Sequence, residues 1–266
     1  MRIRIDLSYE GTDFRGWATQ PGLRTVQGTL ETALATVLRL QVATVVCAGR
    51  TDTGVHARGQ VVHVDLPDGT PYDARLERRL NGLLPPDVRV RSVGPAPEGF
   101  DARFSATWRR YAYRVADAPA LADPLTRRHV LGWPRPLDVA ALAEASAPLV
   151  GLRDFASFCR RRAGATTIRT LLDLSWARDG DGLVVATVRA DAFCHHMVRS
   201  LVGCVLAVGD GRRSAGWPTE ILAAGVRDPA VVVAPARGLT LEEVGYPDAA
   251  GLAARAVRAR ARREAP

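Results

Sequence analysis

The sequence predicts an α+β fold built from two similar halves, because the spacing of apolar residues alternates between strand and helix periods in the same order twice. In residues 1–105 the order is β-α-β-β-α-β, which is that of the split β-α-β, or ferredoxin-like, motif. A similar order returns in residues 106–266, although no residue-level repeat accompanies it. Two such halves side by side would share one extended, mostly antiparallel sheet, with helices on one face and a central cleft on the other.

The first half begins with a strand, because Ile3, Ile5 and Leu7 alternate with polar residues. The elements that follow are predicted, in order, as a helix over 26–38, strands over 42–48 and 60–66, a helix over 76–84 and a strand over 88–93. A polar loop with several glycines, residues 49–59, separates the second and third strands. Residues 94–97 contain two prolines and a glycine, and we interpret them as a linker.

The second half begins with a strand over 108–116. Its other predicted elements are a helix over 139–150, strands over 171–177 and 183–190, a helix over 196–208 and a closing strand over 238–244. Two Asp-Gly pairs between 178 and 182 indicate that the second and third of these strands form a hairpin. The pattern after Gly251 fits either a further helix or a frayed tail.

The charge balance favours a polyanionic partner. The chain carries 36 basic and 28 acidic residues, a formal net charge of +8, and such an excess is typical of nucleic-acid binders. Lysine is absent and arginine abundant, so the base composition of the genome is an alternative cause of the arginines. The excess charge stays informative, because exchanging lysine for arginine leaves the net charge unchanged.

The cysteines and the hydropathy pattern predict a cytoplasmic protein with reduced thiols. The four cysteines, at 47, 159, 194 and 204, have spacings typical neither of a zinc site nor of a disulfide framework. Adjacent residues point in different directions on a helix, so Cys194-His195-His196 is not predicted to bind a metal. The first residues lack the apolar core of a leader, and no apolar run approaches the ~20 residues of a membrane span.

Asp52, in the loop over 49–59, is the leading candidate for chemistry. It lies between Thr51 and Thr53 and two residues after Arg50, and a nearby guanidinium favours the charged form of a carboxylate. An anionic carboxylate is suited to act as a nucleophile or a base. Ordinary turn chemistry is the alternative, because Asp and Thr side chains commonly bond to the backbone of their own loop.

Residues 49–57, Gly-Arg-Thr-Asp-Thr-Gly-Val-His-Ala, resemble the active-site motif of the tRNA pseudouridine synthase A family at every specified position. Residues 104–114 and 191–203 are similar to the second and third motifs of this family, with Ser200 where Asn is frequent. Shorter similarities cover residues 9–17, with Glu10 in place of Asp, and also 26–31 and 236–241. The resemblance therefore spans nearly the whole chain in order.

The resemblance implies an activity and a set of site residues. Uridines at positions 38, 39 and 40 of the tRNA anticodon arm would be isomerised to pseudouridine, without cofactor or metal, by a homodimer. The implied roles are catalysis for Asp52, contact with the target base for Tyr111 and Leu241, and pairing with the catalytic carboxylate for Arg199. Arg50 would either occupy the space that the uridine leaves or grip the phosphate. Tyr113 is either a site residue or part of the core, and His195 and His196 are interpreted as structural or RNA-facing. Attack on C1′ and removal of the 2′ proton both remain open as the role of Asp52.

Several arginines in predicted loops or strand ends are candidates for contacts with the tRNA backbone: Arg15, Arg24, Arg58, Arg109, Arg110 and the run Arg160 to Arg162, in particular Arg161. Two other functions fit a basic protein of this kind. One is a non-catalytic tRNA-binding protein or RNA chaperone, against which the intact Asp52, Tyr111 and Arg199 argue. The other is a nucleosidase-type hydrolase, which needs a second, acidic group that the motif around Asp52 does not supply.

Overall fold

The computed structural model describes residues 1–70, 72–160, 164 and 166–260. Over these ranges the chain has an α+β fold of ten mostly antiparallel strands and six α-helices. The chain divides into two compact units. The first comprises residues 1–107 and 241–260, and the second comprises residues 108–240. Residues 241–260 therefore pack with the first unit although they follow the second in the chain.

The first unit is organised around its first strand, which has a neighbouring strand on each side. Its elements are β1 (Arg2–Tyr9), α1 (Val26–Leu38), β2 (Val45–Cys47), β3 (His56–Asp65), α2 (Leu76–Leu83), β4 (Val88–Pro95), the part of β10 (Leu239–Gly245) from residue 241 onwards, and α6 (Leu252–Arg260). β1 lies between β4 and β3 and is antiparallel to both, while β2 pairs with β3. β10 follows β3 in the strand order.

Local sequence explains the start of α1 and the inner face of β1. The side-chain oxygen of Thr25 accepts a hydrogen bond from the Gly28 N–H, which satisfies one of the unpaired amides at the helix start. Ile3, Ile5 and Leu7 are fully buried, because alternate residues of a strand face the same side. The predicted first strand and first helix are therefore confirmed.

Three predictions for the first unit were wrong in extent. The strand predicted over 42–48 is only Val45–Cys47, because β3 offers it three partners, and Val42 is 75% exposed. The linker predicted over 94–97 begins later, since Gly94 and Pro95 pair with β1 at the edge of the sheet, where proline is tolerated. The polar loop is shorter than predicted, because β3 already begins at His56 and therefore includes Arg58.

The second unit has four antiparallel strands in the order β5-β9-β8-β7, with the short β6 parallel to β5. Its elements are β5 (Trp108–Ala116), β6 (Leu131–Gly132), α3 (Val139–Ser146), β7 (Gly151–Asp154), β8 (Ile168–Arg178), β9 (Val184–Ala190), α4 (Met197–Gly209) and α5 (Trp217–Ala224). Every residue of α4 except Arg199 is buried. Short 3₁₀ turns occur at Pro119–Leu121, Ala147–Leu149, Ala156–Phe158 and Ala236–Gly238, and in the first unit at Ala249–Gly251.

The predicted strand β5 and the predicted hairpin of β8 and β9 are confirmed. In the hairpin turn, Asp179 Oδ1 accepts hydrogen bonds from the amides of Asp181 and Leu183, and Gly182 adopts φ +83°. α3 is shorter than predicted and passes into the 3₁₀ turn Ala147–Leu149, where Pro148 lacks an amide proton. The sequence patterns did not predict β6, β7 or α5. After Gly251, where either a helix or a frayed tail was expected, residues 252–260 form the helix α6.

No helix in the described ranges is both long enough and apolar enough to cross a membrane.

The buried His63 of β3 gives a pH-dependent stability. Its Nδ1 accepts a hydrogen bond of 2.9 Å from the Ala102 amide, and burial, assisted by the charge of Arg2, lowers its pKa below the ordinary value of about 6.5. The unfolded chain therefore binds the extra proton more readily, and the stability present above pH ~6.5 is lost as the pH falls through the folded pKa. We expect His63→Asn, whose Oδ1 can accept the same bond, to weaken this loss in denaturant titrations between pH 7.5 and 5.5. An unchanged pH dependence in the variant would contradict this origin.

Candidate active site

Asp52 lies in the turn between β2 and β3 and is partly exposed to solvent. Its carbonyl oxygen accepts a hydrogen bond of 3.1 Å from the Val55 amide, which closes the turn. Gly54, with φ +79°, supplies the left-handed backbone that this closure uses. Asp52 is thus a partly exposed residue of a short turn between two strands.

The loop that follows β1 packs against this turn. The Trp17 amide donates a hydrogen bond of 3.0 Å to the Thr51 carbonyl, immediately before Asp52. Gly16 has φ +90°, and a Cβ there would lie 3.1 Å from the same carbonyl oxygen. Gly11 approaches the far side of the turn, where a Cβ would lie 2.0 Å from the Val55 carbonyl oxygen. Both glycines therefore permit a backbone-to-backbone contact that a side chain would block.

A buried polar cluster lies on the other side of the turn. The Tyr9 hydroxyl lies 2.7 Å from the Thr51 hydroxyl, and Gln60 Nε2 donates to the Tyr9 hydroxyl (3.3 Å) and to the Gly49 carbonyl (2.8 Å). Gln60 is fully buried, and Tyr9 and Thr51 nearly so. The residues before Asp52 are therefore held from the protein interior.

His56, the histidine of the motif, has a structural role. It is buried, and its Nδ1 accepts a hydrogen bond of 2.9 Å from the Gly11 amide. The same Nδ1 lies 3.3 Å from Glu10 Oε1, so the ring joins the loop after β1 to the turn of Asp52 through this nitrogen. Arg50, in contrast, is exposed at the surface of the turn beside Asp52.

In the second unit, Tyr111 and Tyr113 of β5 are in different environments. Tyr111 is largely buried, and its ring meets that of Phe193 edge-on with centroids 5.2 Å apart. Tyr113 is completely buried, its hydroxyl donates to the Pro235 carbonyl at 2.8 Å, and burial raises its pKa. Of the two interpretations of Tyr113, the structure supports the core residue.

Arg199 is held by the segment 232–235 of the same unit. Its Nε donates to the Ala234 carbonyl at 2.7 Å, and the Ala234 amide donates back to the Arg199 carbonyl at 3.0 Å. One turn further along α4, a Cβ on Gly203 would lie 1.9 Å from the Val232 carbonyl oxygen. The segment thus runs directly along the helix and anchors the guanidinium. Leu241, which belongs to the first unit, is fully buried in β10.

The arginines predicted to contact RNA differ in their surroundings. Arg15 and Arg58 are exposed, Arg58 lying 4.0 Å from Glu242, and Arg110 is partly exposed.

Arg24 forms a two-point ion pair with Asp87 at 2.8 Å and stacks on the Phe14 ring, so its charge is offset within the protein. Arg109 is only 8% exposed and donates to the Asp191 carbonyl, which is a structural placement. Arg161 and Arg162 lie outside the described residues, whereas Arg160 is exposed.

Two cysteines do not match the expectation of reduced thiols. Cys159 and Cys194 form a disulfide, with Cα atoms 5.7 Å apart, while Cys47 and Cys204 are buried and lie outside this bridge. The pairing is hidden in the sequence because 35 residues separate the two positions. The fold aligns their segments, and the Arg160 amide donates to the His195 carbonyl beside the bridge.

Sequence reasoning missed the contribution of Tyr9 and Gln60 to this site. A signal was present at Gln60, because it is a polar residue on the same face of the strand as the apolar Val62 and Val64. Its significance depended on Tyr9, which is 51 residues away in the chain. The predicted residues themselves divide between the units: Asp52, Arg50 and Leu241 belong to the first, and Tyr111 and Arg199 to the second.

Comparisons with known proteins agree with the motifs. A family model described as tRNA pseudouridine synthase matches residues 7–105 and 145–247. The chain is 61% identical to the tRNA pseudouridine synthase A of Frankia casuarinae, over all of this chain and 97% of that protein. It is 60% identical to the protein of the same name from Streptomyces griseus, over all of this chain and 95% of that protein. For the one from Mycobacterium leprae the identity is 52%, over 97% of this chain and 93% of that protein.

The disulfide can be tested by alkylating the air-purified protein in denaturant without reductant and analysing its peptides by mass spectrometry. We expect the peptides of Cys159 and Cys194 to be found linked, and Cys47 and Cys204 to be alkylated. In Cys159→Ser, Cys194 should become available to the reagent, while Cys47→Ser serves as the matched control. Alkylation of all four cysteines in the parent protein would contradict the linkage.

Proposed function

The chain belongs to the tRNA pseudouridine synthase A family and is therefore a tRNA pseudouridine synthase, which is an isomerase, and we propose the uridines on which it acts. These are the uridines at positions 38, 39 and 40 of the tRNA anticodon arm, which it converts to pseudouridine. The observation that carries the proposal is the turn of Asp52. Asp52 is partly exposed there, and buried groups hold the backbone on which it lies through hydrogen bonds to Gly49 and Thr51.

The isomerisation of uridine to pseudouridine needs few catalytic groups. The N1–C1′ bond of uridine breaks, the uracil turns, C5 bonds to C1′, and the proton lost from C5 is balanced by one gained at N1. No electron or group is imported, so the reaction requires neither a redox cofactor nor a metal. One carboxylate suffices, and Asp52 either attacks C1′ or removes the 2′ proton. The uridine must leave its stack for Asp52 to reach the sugar.

The other proposed roles follow from chemistry and from the family resemblance. The Tyr111 ring, supported edge-on by Phe193, is suited to pack against the extruded uracil. Arg199 is proposed as the partner of the Asp52 carboxylate, and its anchoring to Ala234 would limit its movement. Leu241 is proposed to lie near the target base, and Arg50 to hold the RNA or fill the space that the uridine leaves.

We also propose the wider organisation that the sequence predicts. The sequence divides the chain into two ferredoxin-like halves, residues 1–105 and 106–266, although residues 241–260 of the second half pack with the first unit. With these halves we propose an RNA-binding cleft, a homodimer as the assembly, and the cytoplasm as the location. The net charge of +8 suits the tRNA backbone. Among the arginines, Arg15, Arg58, Arg110 and Arg160 remain the candidates for phosphate contacts, with Arg161 retained on its sequence position alone. Arg24 and Arg109 have internal partners and are weaker candidates.

Asp52→Asn should abolish pseudouridine formation while tRNA affinity stays within a few-fold of the parent value. Asn preserves the shape of the side chain but lacks the negative charge that either route uses. The measurement is chemical mapping of pseudouridine in an unmodified tRNA transcript, with filter binding in parallel and no cofactor added. Asp68→Asn, the same change at an exposed turn after β3, is the matched control and should stay active.

Several results would oppose this assignment. Full activity of Asp52→Asn would remove Asp52 from the mechanism. Release of free uracil by the parent protein would indicate a hydrolase, and tight tRNA binding without any conversion would indicate a non-catalytic RNA-binding protein.

The salt dependence of tRNA affinity should distinguish Arg15, a candidate for a phosphate contact, from Arg24, which is paired within the protein. If Arg15 neutralises a phosphate, Arg15→Gln should reduce the slope of log affinity against log salt by about 0.7–0.9. Arg24→Gln should change this slope much less, because Asp87 already offsets the charge of Arg24. Equal effects of the two substitutions on the slope, measured by binding titrations between 50 and 300 mM salt, would count against this distinction.

A further inference from the structure

We propose that Tyr9 and Gln60 are positioning residues for Asp52, acting through the hydrogen-bonded chain Gln60–Tyr9–Thr51 beneath the turn. The inference rests on the proposed catalytic role of Asp52 and adds to it two residues that do not reach the substrate themselves.

The chain of hydrogen bonds is complete and shielded from water. Gln60 Nε2 has two protons, and both are used, one on the Tyr9 hydroxyl and one on the Gly49 carbonyl. Gln60 Oε1 accepts a hydrogen bond of 3.2 Å from the Val61 amide. The Tyr9 hydroxyl then lies 2.7 Å from that of Thr51, and all three side chains are at most 7% exposed.

Gln60 is a polar residue at a fully buried position, and its amide needs hydrogen-bond partners there. Its neighbours Val62 and Val64 on the same strand are buried and apolar, and a buried amide is destabilising unless it is hydrogen-bonded. An aliphatic residue would extend the apolar face of Val62 and Val64 but would leave the Gly49 carbonyl and the Tyr9 hydroxyl without this donor. The Gln60 amide therefore supplies hydrogen bonds to the turn and to Tyr9, which an apolar core residue could not do.

An irregularity in β1 directs Tyr9 to the turn. The register of β1 with β3 shifts between Leu7, which faces Gln60, and Tyr9, which faces Ala57. Such bulges re-aim side chains and are frequent beside active sites. The Tyr9 ring also lies against Trp17, with centroids 6.0 Å apart, and the Trp17 amide holds the Thr51 carbonyl.

These contacts fix the segment that carries Asp52 at two places. Gly49 is held through its carbonyl, and Thr51 through both its carbonyl and its hydroxyl. Asp52 follows directly, so loss of the Tyr9 hydroxyl frees the side chain of the preceding residue. A displacement of about 1 Å in a catalytic group can cost about 10²-fold in rate.

The test is Tyr9→Phe, compared with Tyr246→Phe. Both variants lose one hydroxyl with a bond of 2.7 Å in the same unit, but Tyr246 donates to the Ala102 carbonyl and not to the turn. Under single-turnover conditions at saturating tRNA, we expect Tyr9→Phe to lower the rate of pseudouridine formation by about 10–100-fold. Its tRNA affinity should stay within a few-fold, and Tyr246→Phe should keep the parental rate.

A second pair of variants covers the case in which Tyr9→Phe does not fold. Thr51→Ser keeps the hydroxyl and should retain most of the rate, whereas Thr51→Val keeps the shape, removes the hydroxyl and should lower the rate as Tyr9→Phe does. A purely structural network would instead lower the melting temperature of these variants and leave their rate at the parental value, which would overturn the inference. A parent protein that forms no pseudouridine would overturn the proposed function itself, so the two failures are distinguishable.

Discussion

The backbone of the Asp52 turn depends on hydrogen bonds supplied by groups outside the turn, and the loop after β1 must pack closely against it to supply one of them. The Gly49 carbonyl needs Gln60, and the Thr51 carbonyl needs the Trp17 amide. Close approach of the loop after β1 in turn requires glycine at Gly11 and Gly16. A carboxylate on a mobile loop would lack a fixed geometry. The hydrogen bonds and glycine contacts that hold this turn are therefore needed for the site together with Asp52.

The second unit uses a similar device for Arg199. An arginine on a helix that is otherwise buried needs a polar partner, and the Ala234 carbonyl supplies one while its amide returns a bond to the helix. Gly203 lets the segment 232–235 lie against α4 with no side chain between them. In both units, therefore, glycine permits the backbone contact, and neighbouring peptide groups hold the segment or side chain of interest.

The positive charge of the chain is only partly available to an anionic partner. Arg24 is paired with Asp87, and Arg178 with the buried Asp117, whose pKa this guanidinium lowers. Arg109 donates to a backbone carbonyl from a buried position. The net charge of +8 still favours RNA, but which arginines contribute depends on the carboxylates and carbonyls that the fold places beside them.

The sequence by itself determined the elements with a clear period and the local motif. The strand Trp108–Ala116 and the β8–β9 hairpin follow from alternation and turn residues, and Asp52 stands out because its turn is contiguous in the chain. Only the tertiary structure decided the short strands β6 and β7, the exposure of Val42, the burial of Arg109, the Cys159–Cys194 bridge and the link from Gln60 to Tyr9. Each of these depends on whether a group distant in sequence packs beside the residue, and the period of a segment carries no information about which distant group will lie next to it.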